Sequence, residues 1–425
     1  MTTIRASSLF FKNARNLNCI FINCIGQKCV FTPYHFRNLR NQLLSSSLTN
    51  ISVPATVNAC RLYTNTSVNP LRNVFVSSQF DKPIAFWLMG CSSLTLAIML
   101  LGSYTRLTES GLSMTEWSPL GSGLPKTDEE WLNEFDKYKS TPEYRTVHTN
   151  ISIDDFKGIY FIEWMHRLVA RLTGLIYLGG FAYFTYVKAI KPPLKKSLLA
   201  IALLGASQAL IGMVMVNSGL KEPKDEQIVR VSPLILSFHF LNALGIYSLC
   251  FLNALSLLKP NSAVDTANKL KDLDNLKLIK KLTYLLSGVT LVTLFSGSIV
   301  AGNDAGFICN TWPKINEKFV PDEFTPLKTG LNGFMSDPVI IQFNHRSMAY
   351  LTSFSSLALA FATFKSKNLP PKIKKSVIYV LLSVLVQVII GIDTLLRGVP
   401  VYMGVAHHLG ALSVWTCLLH LLKRF

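Results

Sequence analysis

Apolar residues in this chain come in long unbroken blocks rather than in short alternating periods. Eight such blocks lie at about 83–105, 158–187, 197–217, 233–257, 282–302, 337–364, 376–397 and 401–422, with polar segments between them. Each is long enough to cross a ~30 Å hydrocarbon layer as a helix. Lipid leaves no partner for an unpaired backbone group, so helices are the expected spanning form. The second and sixth blocks are long enough to tilt or protrude. The pattern predicts an all-α polytopic membrane protein with eight transmembrane helices. Composition agrees, with 49% hydrophobic and 16% charged residues and a mean hydropathy of +0.33.

A net charge of +18 would suit a nucleic-acid binder, but its distribution does not. Basic residues crowd the segments after the even-numbered blocks: Lys188, Lys191, Lys195 and Lys196, then Lys365, Lys367, Lys372, Lys374 and Lys375, with Lys423 and Arg424 closing the chain. The remaining loops hold most of the acids, including Asp128, Glu129, Glu130 and Glu134. This is the positive-inside arrangement, which places both termini on the lysine-rich side. Nucleic acid is therefore not an expected partner, whereas membrane lipid is.

Residues 1–80 contain no Asp or Glu and carry Arg5, Lys12, Arg15, Lys28, Arg37, Arg40, Arg61 and Arg72 among Ser, Thr and Asn. That composition predicts a mitochondrial transit peptide. Arg61-Leu62-Tyr63 resembles a processing site, so residues 1–63 are expected to be removed. The mature protein would then sit in the inner membrane, with the lysine-rich loops and both termini in the matrix. Of eight cysteines, Cys19, Cys24, Cys29 and Cys60 fall before that point, Cys91, Cys250 and Cys417 fall within blocks, and Cys309 has no evident loop partner. No disulfide framework is implied.

The chain also repeats itself. Gly102-Ser103, Gly111 and Trp117 recur as Gly297-Ser298, Gly306 and Trp312 at one constant offset. Glu163-Trp164-Met165-His166-Arg167 parallels Gln342-Phe343-Asn344-His345-Arg346, and Gln208-Ala209-Leu210-Ile211-Gly212 parallels Gln387-Val388-Ile389-Ile390-Gly391. His239 parallels His407. Each half holds an even number of blocks, so both insert in the same direction. The expected architecture is two parallel-repeat four-helix bundles, residues 82–258 and 282–423.

Four histidines, His166, His239, His345 and His407, then fall at one depth. Each follows by about 6–9 residues the point where its block enters the apolar region, which puts it roughly 9–13 Å below one membrane face. Ionisable residues at that depth are costly and mark function. Four of them suggest two bis-imidazole sites, and the prosthetic group that fits between two helical histidines in an apolar bundle is heme. His407 is preferred over its neighbour His408 because the repeat aligns His408 with Phe240. His420 lies near the matrix end of its block, and His148 lies in a loop and is expected to be solvated. Arg167 and Arg346 each follow a histidine and need an anion. Heme propionates are candidates, with loop acids or headgroups as the alternative, and Arg171 lies one turn below Arg167.

Glu163 breaks the symmetry, because its duplicate, Gln342, cannot ionise. Glu163 precedes His166 by three residues and so shares its helical face. Chemistry in the first half and electron storage in the second would follow, unless Glu163 only pairs with a neighbouring arginine. The loop at about 106–157 is rich in Trp117, Trp131, Phe135, Tyr138 and Tyr144, which suggests a folded lid or a docking surface. Its counterpart, 303–336, is shorter.

Together, Arg106-Leu107-Thr108-Glu109-Ser110-Gly111-Leu112 with Trp117, Glu163-Trp164-Met165-His166-Arg167, Asn310-Thr311-Trp312-Pro313 and Gln342-Phe343-Asn344-His345-Arg346 resemble the signatures of the heme A synthase family, in its mitochondrial branch, from about residue 82 to the C-terminus. The resemblance implies oxidation of a ring methyl of heme O to the formyl group of heme A, for cytochrome c oxidase assembly. It implies that His166 and His239, with Arg167, hold the substrate heme, that His345 and His407, with Arg346, hold a heme b cofactor, and that Glu163 is catalytic. It further implies a ferredoxin-type electron donor and heme O synthase as partners, and it is compatible with a homo-oligomer. Two departures stand out: the first-loop cysteine pair of some bacterial members is absent, and His407-His408 replaces the family's usual His-Gln. A diheme b-type electron-transfer cytochrome and a heme transporter or chaperone are the competing readings.

Overall fold

The computed structural model describes residues 20–25, 28–33, 78–118, 120–190, 192–222, 229–258, 273–315, 317–323 and 335–425. The expected transit peptide, 1–63, lies outside the described residues except for a two-stranded antiparallel hairpin, β1 (Ile20–Ile25) and β2 (Lys28–Pro33), within an N-terminal unit of its own. In the unit that follows, the regular elements are helical, and eight helices are long and apolar enough to cross a membrane.

They are α1 (Asp81–Leu107), α4 (Ile153–Tyr186), α5 (Pro192–Gly219), α6 (Pro233–Leu258), α7 (Leu273–Gly302), α9 (Pro338–Lys365), α10 (Pro371–Leu396) and α11 (Val401–Leu422). Three short helices, α2 (Asp128–Lys139), α3 (Pro142–Thr146) and α8 (Ala305–Ile308), lie in the loops. Several helices outrun the apolar blocks that announced them. The start of α4 is set by Ser152, whose side chain accepts from Asp155 N, so the helix begins five residues before its apolar block. The early start of α7 adds a polar stretch carrying Lys277, Lys280 and Lys281. Asp337 caps α9 by accepting from Val339 N and Ile340 N, with Pro338 at the first helical position. Gly398 (φ 69°) and Val399 (φ 54°) are consecutive left-handed residues that turn the chain sharply from α10 into α11.

Helices α1, α4, α5 and α6 close one ring of contacts, and α7, α9, α10 and α11 close another. The rings meet through α6 against α7 and α11 against α1, with a smaller contact of α6 with α11. A core of Met99, Leu244, Tyr247, Leu286, Val380 and Trp415 runs across this junction. Tyr247 Oη lies 2.6 Å from Thr416 Oγ1, Trp415 Nε1 donates to Ser248 Oγ at 2.8 Å, and Ser298 Oγ donates to Ser237 Oγ at 2.7 Å. Such interhelical bonds in a membrane contribute about 0.6 kcal/mol each. Outward side chains such as Leu175, Phe354 and Ile389 are exposed, as an apolar solvent requires.

The junction also depends on close backbone approach. A Cβ at Gly302 would stand 2.7 Å from Pro233 Cβ and 2.8 Å from Pro233 Cα, whereas one at Gly288 on the same helix would meet nothing within 4 Å. Gly302→Ala is therefore expected to cost about 1–3 kcal/mol and to lower the thermal midpoint of the detergent-solubilised protein, with Gly288→Ala as the neutral control. Equal midpoints for the two variants would show that the α6–α7 contact yields freely.

Candidate functional site

The four histidines project from α4, α6, α9 and α11, and each ring rests on a glycine of another helix of its own ring. A Cβ built at Gly102 would lie 3.1 Å from His166 Cε1, and one at Gly212 would lie 3.1 Å from His239 Cε1. The corresponding values are 2.9 Å for Gly297 and His345, and 2.7 Å for Gly391 and His407. A side chain at Gly297 or Gly391 would force a shift, and one at Gly102 or Gly212 would require the ring to give by a few tenths of an ångström. These glycines are the same ones that mark the sequence repeat, yet the repeat alone did not assign them this task. His166 and His239 thus belong to one ring of helices, and His345 and His407 to the other. Each imidazole is only partly buried.

Polar side chains accompany them. Gln208 Nε2 lies 3.1 Å from His239 Nε2, and Asn242 Nδ2 donates to Gln208 Oε1 at 2.7 Å. Gln387 Nε2 lies 3.1 Å from His407 Nδ1 and donates to His407 O at 3.0 Å. His408, by contrast, faces the neighbouring ring, edge-on to Phe240 of α6 at 5.3 Å between centroids. His420 lies 3.0 Å from Arg424 Nη2, near the chain's end.

The two arginines that follow histidines act on loops. Arg167 donates to Met114 O at 3.0 Å and to Glu116 O at 2.9 Å. Arg346 donates to Cys309 O at 3.2 Å and to Thr311 O at 2.5 Å. Residues 114 and 116 align with 309 and 311 at the offset that relates Gly102 to Gly297. Each arginine thus fastens its own first loop over its own histidine, a role the sequence did not disclose because the acceptors are backbone carbonyls. Arg346 Nε remains buried without a partner among the described residues. Arg171 Nη2 and Trp164 Nε1 extend the fastening to Ser118 O and Ser122 O.

Glu163 and Arg167, both buried, form an ion pair one helical turn apart. In the other ring, Gln342 Oε1 is buried without a partner among the described residues, and Arg346 is committed to carbonyls. The sequence asymmetry is therefore a charge asymmetry in space. Glu163 is held in one orientation, beside His166 on the same helix.

Residues 85–419 match the COX15-CtaA family of cytochrome oxidase assembly proteins. The chain belongs to the COX15-CtaA family. A heme A synthase of Arabidopsis thaliana is 37% identical over 350 residues, covering 81% of this chain and 76% of that protein. The human heme A synthase is 33% identical over 349 residues, covering 82% and 83%. A heme A synthase-mitochondrial ferredoxin fusion protein of Schizosaccharomyces pombe is 35% identical over 369 residues, covering 81% of this chain and 60% of the fusion.

The first loop of this COX15-CtaA chain is folded around its own core of Met114, Phe135, Tyr138, Phe156 and Tyr160. Helix α2 opens on a capping box between Thr127 and Glu130. Inside lies a polar chain that the sequence did not reveal. Glu143 Oε2 is 3.1 Å from Tyr138 Oη, which is 2.7 Å from His148 Nδ1. His148 is therefore a packed, hydrogen-bonded residue rather than a solvated one, because the loop folds over it. Burial pushes the Glu143 carboxyl up to about 8 and lowers His148. Tyr138 Oη donates its one proton to Glu143 Oε2, so the contact with His148 is made by the ring's Nδ1–H donating to Tyr138 Oη.

Glu143 makes the lid pH-sensitive. Its ordinary value is 4.5, so between 4.5 and about 8 the folded lid keeps a proton that the unfolded lid releases. The stabilisation is complete below that window and is lost as pH rises through it. Proteolysis within 106–157 is expected to quicken across the window in the wild type and to lose that rise in Glu143→Gln. Comparing the two proteins at each pH removes the protease's own profile and the opposite contribution of His148. The same rise in both would exclude Glu143 as its source.

Proposed function

We propose that this protein is a multi-pass heme A synthase of the mitochondrial inner membrane, which oxidises one ring methyl of heme O to the formyl group of heme A for cytochrome c oxidase assembly. The observation that carries the reading is the pairing of histidines on glycine platforms, in a chain whose membrane region matches this family. Pairs of neutral imidazoles in an apolar bundle form a donor set suited to heme iron. The residues present fit the group on their own terms: the rings are partly open and the helix opposite each is stripped to glycine. The duplication reading, two parallel four-helix bundles, is supported by two closed rings with matching loop fastenings.

In this reading the first bundle, with His166 and His239, takes the substrate heme, and the second, with His345 and His407, keeps a heme b. Heme b would supply one-electron oxidation and reduction. Arg167 and Arg346 hold the loops that cover the two sites, and Arg346 Nε is the donor left for a propionate. Glu163 is the base of the first site. Oxidation of the methyl carbon releases protons, and a carboxylate fixed by Arg167 accepts one from the reacting water or balances positive charge on the substrate. Gln342 offers neither service, which suits a site that only stores electrons.

The lysine-rich ends face the matrix, and the histidine ends face the intermembrane space, on the distribution of charge. The fused relative supports a ferredoxin-type electron donor. Heme O synthase is the class of enzyme that must deliver the substrate. Acid–acetone extraction of the purified protein separates this reading from its competitors: heme A or its hydroxylated precursor beside heme b marks the synthase, two identical hemes mark an electron-transfer cytochrome, and unmodified exchanging heme marks a carrier.

Two substitutions test the assignments. Glu163→Gln preserves volume and hydrogen bonding while removing charge, so it should retain heme b, accumulate heme O and make little heme A. Near wild-type heme A in that variant would make the carboxylate structural. His407→Gln should lose the low-spin spectrum of the second site, whereas His408→Gln, which faces Phe240, should keep it; the reverse pattern would move the ligand to His408.

A further inference from the structure

The two bundles hold their first histidine differently. His345 Nδ1 lies 2.9 Å from the Ser296 hydroxyl, and that hydroxyl lies 2.8 Å from Thr293 O. A carbonyl oxygen only accepts, so the single hydroxyl proton goes to Thr293 and the ring's Nδ1–H donates to Ser296. This tautomer leaves the Nε2 lone pair available to a metal. Ser296 immediately precedes Gly297, the platform of His345.

At the duplicate position, immediately before Gly102, the chain has Leu101. His166 rests on Gly102 in the same pose as His345 on Gly297, with Nδ1 at 3.7 Å and 3.5 Å from the respective built Cβ positions. Leucine offers no acceptor, and His166 Nδ1 is buried without a hydrogen-bond partner among the described residues. His239 Nδ1 is in the same condition, whereas His407 Nδ1 has Gln387 at 3.1 Å. Gln387 Nε2 only donates, so among the described residues His345 is the one of the four rings with a hydrogen-bond acceptor at Nδ1.

A hydrogen bond on the second ring nitrogen fixes the orientation of a ligating histidine and raises its basicity, and its loss typically costs 10–100-fold in metal affinity. An enzyme that works on one heme with the help of another needs unequal sites. A product held as tightly as the cofactor would never leave. We propose that Ser296 is a positioning residue that makes the His345 site retentive, and that Leu101 in its place makes the His166 site exchangeable. The inference rests on the reading that the first bundle holds the substrate heme and the second holds heme b.

The test uses full-length protein purified in detergent. Transfer of heme to excess apomyoglobin gives the dissociation rates, and chromatography after acid–acetone extraction tells heme b from heme O and heme A. Ser296→Ala should speed loss of heme b roughly 10–100-fold and raise its midpoint potential, because the ligand becomes less basic. Ser296→Thr, which restores a hydroxyl, should return both towards wild type, a rescue that a purely structural role would not give. Leu101→Ser should slow loss of heme O and heme A by a similar factor. Unchanged heme b dissociation and potential in Ser296→Ala, together with loss of heme b in His345→Ala, would overturn the tether and leave the site assignment standing. Full heme b in His345→Ala would overturn the assignment beneath it. If Ser296→Ala does not fold, Leu101→Ser decides alone, and an unchanged exit rate there refutes the proposal.

Discussion

The structure depends on one repeated contact, an imidazole lying against a helix that offers only a glycine. In lipid, helices gain nothing by burying apolar surface from water, so close backbone approach is a main source of packing. The glycines permit that approach and also fix the gap between helices at the level of the histidines. A larger residue at any of the four positions would push on a ring or on the helix that carries it. The spacing within each four-helix ring and the placement of its histidines are therefore one constraint.

Upon this shared scaffold the halves diverge in polar detail. Arg167 and Arg346 perform the same mechanical service, reaching the carbonyls of residues 114 and 116 in one case and 309 and 311 in the other. Only Arg167 has a carboxylate beside it. Asp304, which shares its left-handed backbone with Glu109, accepts from Arg106 at 2.8 Å and lies 3.1 Å from Arg230 Nε, joining the two rings. Glu109 instead faces His148 of the lid at 3.9 Å. The same turn thus ties the rings together in one copy and leans on the lid in the other.

Much of the fold was legible in the sequence because hydrophobic length is a coarse and robust signal. The eight spans appear where the apolar blocks stand, and only their ends differ, since capping by Ser152 or a run of lysines in α7 extends a helix without changing its hydropathy. The histidines were legible because ionisable groups are rare in apolar blocks. The roles of Arg167, Arg346 and Ser296 were not, because their partners are backbone carbonyls or a ring nitrogen about 50 residues away, and no local pattern announces such a partner. His148 was misread for a related reason: a loop residue counts as solvated until the loop is seen to fold over it.

The junction between the rings has a further meaning. Its main contacts, α6 with α7 and α11 with α1, exchange the same two kinds of face in opposite directions. Under the proposed duplication this is an isologous interface, one in which a lone four-helix unit could meet a second copy of itself across a two-fold axis along the membrane normal. A homodimer of that kind must carry an identical residue at both of its sites. It would have a glutamate beside each heme or beside none, and a serine behind each first histidine or behind neither. Joining the copies in one polypeptide removes that compulsion. Glu163 matched by Gln342 in the repeat, and Leu101 matched by Ser296, are differences that a homodimer of one such unit could not hold.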